Sequence, residues 1–170
     1  MGYVDIYTKR AAQGIAECEH ALALDRNLAH AHALIGLGKF FIERAEETEA
    51  HVAEAMRLSP RDNMAYLWMT YIGVSSNQLG RWEQAIPWFR RSVEANRNLP
   101  HAHFGLAAAL AQLGRLDEAH SAVKTGLALD PAYVISRLRT NLAARSDNPT
   151  FLARNEPYFE GLRKAGVPEQ

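Results

Sequence analysis

Arg-Asn-Leu-Ala-His-Ala-His at residues 26–32 returns as Arg-Asn-Leu-Pro-His-Ala-His at residues 97–103, with one difference, Ala29 against Pro100. A chain that repeats itself at a fixed spacing stacks like units, and each unit buries the apolar face of its neighbour. The offset of 71 residues divides into one unit of 34 and one of 37, ending at Arg26, Pro60, Arg97 and Pro131. A unit this short has room for two helices and a turn.

The fourth unit shows the pattern best. Leu99 to Pro131 holds two apolar segments at helical spacing around a break at Gly114-Arg115, and the second runs into Asp130-Pro131. The third unit, 61–97, breaks in the same way at Leu79-Gly80-Arg81-Trp82, with Gly as the C-cap. Its three extra residues lie between Pro60 and Gly80 and predict a first helix longer by about one turn. Pro87 is placed in the first turn or so of the second helix, where a missing N–H costs least. The second unit, 26–60, predicts helices over roughly Ala29–Ile42 and Glu46–Leu58. Two residues there break the pattern. Glu43 stands at the turn where Gly is usual, which predicts a turn of another shape, and Thr48 stands where a small Ala would let the helices touch.

Residues 8–25 read as the second helix of an incomplete first unit, with Thr8 as N-cap and Ile15, Cys18, Ala21 and Leu22 on one stripe. After Pro131, Ala132–Ala144 predicts an amphipathic helix covering the last unit, as a solenoid end requires. Ser146-Asp147-Asn148-Pro149 is a break, with Asn148 as N-cap and Pro149 at N1 of a last amphipathic stretch. That stretch carries Phe151, Leu152, Tyr158, Phe159 and Leu162; Pro157 either kinks or splits it, and Gly166-Val167-Pro168 stops it.

Leu106, Ala107, Leu110, Ala119, Val123, Gly126 and Pro131 resemble the signature of the tetratricopeptide repeat (TPR), a helix–turn–helix unit of 34 residues. Ile35, Gly36, Val52, Ala55 and Pro60 follow it in the second unit, and Gly73, Ala85, Phe89 and Ser92 in the third. The resemblance implies an all-α, right-handed α-solenoid in one domain over 1–170. It comprises a half repeat at 8–25, repeats at 26–60, 61–97 and 98–131, and capping helices and tail at 132–170. Residues 21–32, 57–62, 93–98, 146–152 and 161–169 further resemble the repeat region that follows a class III adenylate/guanylate cyclase domain, or a winged-helix domain, in proteobacterial proteins. No catalytic motif of such a domain is present, so that resemblance implies a regulatory or dimerisation part.

Charge and composition narrow the function. Lys plus Arg and Asp plus Glu are 19 each, so the net charge is zero. A nucleic-acid interface needs a clustered basic excess, and an anionic membrane surface needs one too. No apolar run reaches the length of a membrane span. One cysteine, Cys18, makes no internal disulfide, and the opening residues have no secretory pattern, so a cytoplasmic chain is expected.

Catalytic, cofactor and metal chemistry find no constellation. His30/His32 and His101/His103 are spaced i, i+2, which on a helix sets them about 200° apart, so neither pair ligates a metal from one face. Cys18 sits on an apolar stripe with no Cys/His/Asx arrangement around it. Trp68, Trp82 and Trp88 read mainly as core. Glu43, Glu46, Glu47 and Glu49, and Arg81, Arg90, Arg91 and Arg97, are either a solvated outer face or a charge-matched contact between chains.

What remains is binding by the concave groove. In the family the first helices line it. The resemblance places there His30, Ala33, Leu37 and Phe40 of the second repeat, Thr70, Val74 and Asn77 of the third, and His101, Phe104, Ala108 and Ala111 of the fourth. The Lys and Arg that clamp a peptide carboxylate in some relatives are absent from these positions. The expected partner is a protein or peptide that presents an apolar helix or strand. Segment 149–165 of the same or a second chain is one candidate occupant. A homodimer through the unpaired helix 8–25 or this segment is a compatible expectation.

Overall fold

A computed structural model describes residues 5–146 and 148–170. Asp147, within the break before the last stretch, lies outside the described residues. The chain folds as consecutive helical hairpins. α1 (Ala11–Leu24) stands before three pairs: α2 (Ala29–Phe41) with α3 (Thr48–Leu58), α4 (Ala65–Gln78) with α5 (Trp82–Ala95), and α6 (Pro100–Gln112) with α7 (Leu116–Leu129). Each helix packs on the next in sequence, and α2, α4 and α6 stack side by side. No strand occurs among the described residues, and no helix there is long and apolar enough to cross a membrane.

The helix contacts are set by small residues under large ones. Phe89 of α5 lies fully buried against Gly73 of α4 and Gly105 of α6, where any added Cβ would collide with its ring. Phe104 of α6 lies in the same way against Gly126 of α7. One aromatic therefore ties α4–α5 to itself and to α6, and another ties α6 to α7, and burying a ring of this size contributes about 2–3 kcal/mol.

The inter-helix turns share one geometry. Gly80 and Gly114 take φ of 69° and 74°, and the following N–H reaches back five residues, Arg81 to Ser76 and Arg115 to Leu110, both at 2.9 Å. This is a Schellman closure, which needs the left-handed conformation at its penultimate residue. Glu43 makes the same closure at φ 61°, with Arg44 N–H on the Lys39 carbonyl at 2.8 Å. The expected change of shape at Glu43 does not occur. The turn keeps its form, at a cost of roughly 1–2 kcal/mol for a residue with a Cβ.

Thr48 is accommodated by hydrogen bonding rather than by smallness. Its hydroxyl is fully buried and donates to the Gly36 carbonyl at 2.8 Å, while Ser75 Oγ donates to it at 2.9 Å.

Four local expectations need correction. The three extra residues do not build an extra turn: α4 exceeds α6 by one residue, and the connection 59–64 takes the others. Asp62 shapes that connection by accepting the Met64 N–H at 2.8 Å. Pro87 lies in the second turn of α5, on the exposed face. Thr8 does not cap α1, which starts after Arg10; its hydroxyl donates to the Asp5 carbonyl instead. Asn148 does not cap a helix that starts at Pro149. It accepts the Thr150 N–H at 3.0 Å as a tight turn, and the helix begins at Phe151.

The largest departure is the course of the chain after Pro131. α8 (Ile135–Ala143) does not cover the end of the last hairpin. It crosses the concave side, and Leu138, Asn141, Leu142 and Arg145 face residues of α2, α4 and α6 across a cavity. A short α9 (Phe151–Arg154) then turns the chain, and α10 (Glu156–Lys164) returns along α6. Pro157 splits the stretch: it sits in the first turn of α10, as a helix start favours. Gly166, at φ 88°, closes α10 with Val167 N–H on the Leu162 carbonyl, and the Pro168 and Glu169 carbonyls accept the Ile135 and Ser136 N–H groups, both at 3.0 Å. Those are open donors of the first turn of α8, so the tail caps the helix it returns to.

Candidate binding groove

The concave side is formed by α2, α4 and α6, and the chain's own C-terminal segment lies in it. At one end Phe151 is 1% exposed and packs edge-on to Phe40 with ring centroids 5.3 Å apart, and against Phe41 at 5.9 Å. Ser146 Oγ donates to the Phe41 carbonyl at 2.9 Å, Thr150 Oγ1 donates to the Glu43 carboxylate at 2.7 Å, and Arg154 pairs with the same carboxylate at 3.5 Å. At the other end Gly161 faces the backbone of Ala108 so closely that a Cβ would stand 2.7 Å from its carbonyl oxygen. Tyr158, Phe159 and Leu162 of α10 are buried around that contact. The edge is polar: Lys164 Nζ donates to Gln112 Oε1 at 3.2 Å, and Arg139 grips both oxygens of Glu156 at 3.0 and 2.8 Å.

The expected groove residues fall into three groups. Leu37, Phe40, Val74 and His101 line the space between the concave face and α8, and Thr70 and Asn77 border it. Ala33, Ala108 and Ala111 are buried, with Ala108 directly beneath α10. Two residues turn elsewhere. Phe104 points into its own hairpin, stacked on Tyr133 at 3.7 Å and 9°. His30 is exposed, its ring tilted 6.5 Å from that of Trp68. Thr70 is tied to α5 through Ser92 Oγ at 2.9 Å, and Asn77 donates to the Gly105 carbonyl at 3.1 Å.

The other histidines and tryptophans are placed by packing. His103 is buried with Nε2 3.0 Å from the Arg97 carbonyl, and His32 is half-buried. Trp68 is fully buried, while Trp82 and Trp88 are half-buried against the core. The Cys18 thiol is buried, and burial pushes it above its ordinary range. Of the acidic run, Glu43 is drawn into the C-terminal contact and Glu47 pairs with Lys39 at 3.1 Å. Among the described residues no group of three or more His, Cys, Asp or Glu could hold a metal ion.

Between the concave face and α8 lies a cavity of about 280 Å³. Its walls are mostly apolar, and its polar rim brings together His101, Asn141 and Arg145. Burial, and then the Arg145 cation, hold the His101 imidazole below its ordinary value, so it is neutral near pH 7. Tyr158 is pushed up to about 12 by burial and stays a phenol. Reading the sequence misses Arg145, Asn141 and Tyr133 as lining residues. They lie on or beside α8, which carries an apolar stripe, but nothing in the stripe says that it crosses the groove.

This architecture is an α-solenoid of stacked helical hairpins with its concave face filled by its own C-terminus. The solenoid is of the TPR type: residues 77–142 match the tetratricopeptide repeat family model. Solved structures agree on the fold. A crystal structure of MamA superposes with a TM-score of 0.65 at 15% identity, over 92% of this chain and 88% of that one. MamA 41-end from Desulfovibrio magneticus RS-1 gives 0.65 and 15% over 93% and 89%. YrrB, described as a TPR protein with an unusual peptide-binding site, gives 0.59 and 23% over 89% and 77%. No curated protein sequence matches the chain.

Proposed function

We propose that the chain is a non-catalytic protein-interaction module, one domain over 1–170, whose concave groove receives an apolar helix. The observation that carries this reading is α10 itself. A helix with buried aromatic and leucine side chains and one glycine at the point of closest approach is seated on α6. The groove residues that receive it or lie beside it are Leu37, Phe40, Val74, Asn77, Ala108 and Ala111. YrrB's description as peptide-binding supports the same use of the fold. The partner is then a protein whose helix has the chemistry of α10 and competes with it. A second copy of the chain, exchanging residues 148–167, presents that chemistry too. A role beside a cyclase or winged-helix domain rests only on the resemblance in sequence.

The test is binding of a labelled peptide of residues 148–168 to the full chain and to Gly161→Leu. The leucine cannot fit against Ala108, so the variant's own helix leaves the groove. The expected result is tight binding to the variant and at least tenfold weaker binding to the wild type. A variant that keeps its helical circular dichroism and binds no peptide contradicts the reading.

A further inference from the structure

Close-packed interiors leave few voids larger than a water molecule. The cavity under α8, at about 280 Å³, is the volume of about nine liquid waters at ~30 Å³ each. Leu37, Phe40, Leu67 and Val74 wall it from the concave face, and Leu138 and Leu142 close it from α8. Walls of this kind hold water poorly and an apolar solute well.

Among the described residues the charge at the rim is unbalanced. Arg145 lines the cavity, with its guanidinium carbon 5.4 Å from the centre of the Tyr7 ring. Among the described residues no aspartate or glutamate lines the cavity, and none stands within ion-pair distance of Arg145. The other arginines without a carboxylate, Arg26, Arg61, Arg81, Arg91 and Arg97, are exposed, whereas Arg145 is half-buried. Water compensates an exposed guanidinium but only partly a half-buried one. Its five N–H donors form a fork that matches a carboxylate. His101 and Asn141 stand on the same rim as further hydrogen-bonding groups.

We infer that this cavity is a binding site for a small apolar monocarboxylate of about ten non-hydrogen atoms, its carboxylate on Arg145 and its hydrocarbon body between the leucines of α8 and the concave face. The ligand bridges the hairpins and the strap that crosses them. The site is complete within one chain whose own C-terminal segment fills the groove, since Asn155 and Tyr158 of that segment also line it.

Octanoate has the stated size and charge, and octanamide matches its shape without the charge. Both are titrated calorimetrically into the full chain, into Arg145→Gln and into Val74→Phe. The wild type is expected to bind octanoate at least tenfold more tightly than octanamide. Arg145→Gln removes that difference and leaves octanamide binding unchanged. Val74→Phe fills the cavity and weakens both at least tenfold while the thermal melt stays cooperative. No heat and no amide shift with either compound up to millimolar concentration overturns the inference. So does an equal affinity of the wild type for the two compounds, or octanoate binding that Arg145→Gln leaves intact. Because Arg145 is half-buried and makes no ion pair with a described residue, its glutamine variant keeps the test valid even if the phenylalanine variant misfolds.

Discussion

The hairpins of the second and fourth units, α2–α3 and α6–α7, begin with nearly the same seven residues and hold the C-terminal segment by opposite means. At α2–α3 the segment is anchored by side chains: Phe151 between Phe40 and Phe41, and Thr150 and Arg154 on Glu43. At α6–α7 it is anchored by the absence of side chains, with Gly161 against the Ala108 backbone. The same division runs through each hairpin. Glu43 and Thr48 hold the turn and the helix contact of the second, where Gly114 and Ala119 do so in the fourth. The second hairpin spends local strain and polar burial to make contacts that the fourth does not need. Glu43 takes an unfavourable φ, yet its carboxylate is only 10% exposed because two groups of the returning segment bind it.

Exchanging features between the hairpins breaks or sharpens this contrast. Phe151→Ala empties the aromatic anchor and is expected to lower stability by about 3–5 kcal/mol in denaturant unfolding. A loss below 1 kcal/mol would mean that the second hairpin does not hold the segment. Thr48→Ala gives the second hairpin the residue of the fourth and is expected to cost about 1–3 kcal/mol, because Ser75 Oγ loses its buried acceptor. Adding Ser75→Ala should recover part of that loss, a coupling that a double-mutant cycle measures. At the turn, Glu43→Ala keeps the left-handed strain and drops the contacts, whereas Glu43→Gly drops both. The glycine variant is therefore expected to be the more stable of the two by about 1 kcal/mol. Equal melting would show that the strain is not real.

The smallest expected effect is one of pH. Burial first, and the Arg145 cation second, lower the His101 pKa in the folded state below its ordinary value of 6.5. The unfolded chain therefore binds the proton more readily. The stability linked to this group is held above about pH 6.5 and lost as pH falls through the lowered value. His51 is lowered too, chiefly by burial, so the slopes add. His101→Gln should flatten, without abolishing, the fall in melting temperature between pH 7 and pH 5.

The repeat at 26–32 and 97–103 and the breaks at Gly80 and Gly114 made the hairpins legible, because they report local geometry. The family resemblance assigns Leu37, Phe40 and Ala108 to the concave side of the first helices; Leu37 and Phe40 face the cavity and Ala108 lies beneath α10. The three added residues were located but not apportioned, since a helix and a loop both accept them. The path of α8 and α10 was not legible. Leu138, Leu142, Phe159 and Leu162 say that each helix has an apolar face, and the end of the last hairpin and the concave groove are both apolar surfaces. What decides between them is shape: Gly161 over Ala108, and Phe151 beside Phe40. That information lies in pairs of residues 53 and 111 positions apart.

The central claim is that the groove is filled from within the same chain. The direct test is the nuclear Overhauser contact between the rings of Phe151 and Phe40, measured on labelled protein alone and again after dilution with an excess of unlabelled protein. The account predicts a contact of unchanged intensity per labelled chain. A contact that fades on dilution would place the segment in the groove of a second copy. No contact in either sample would leave the groove open, contrary to the structure described.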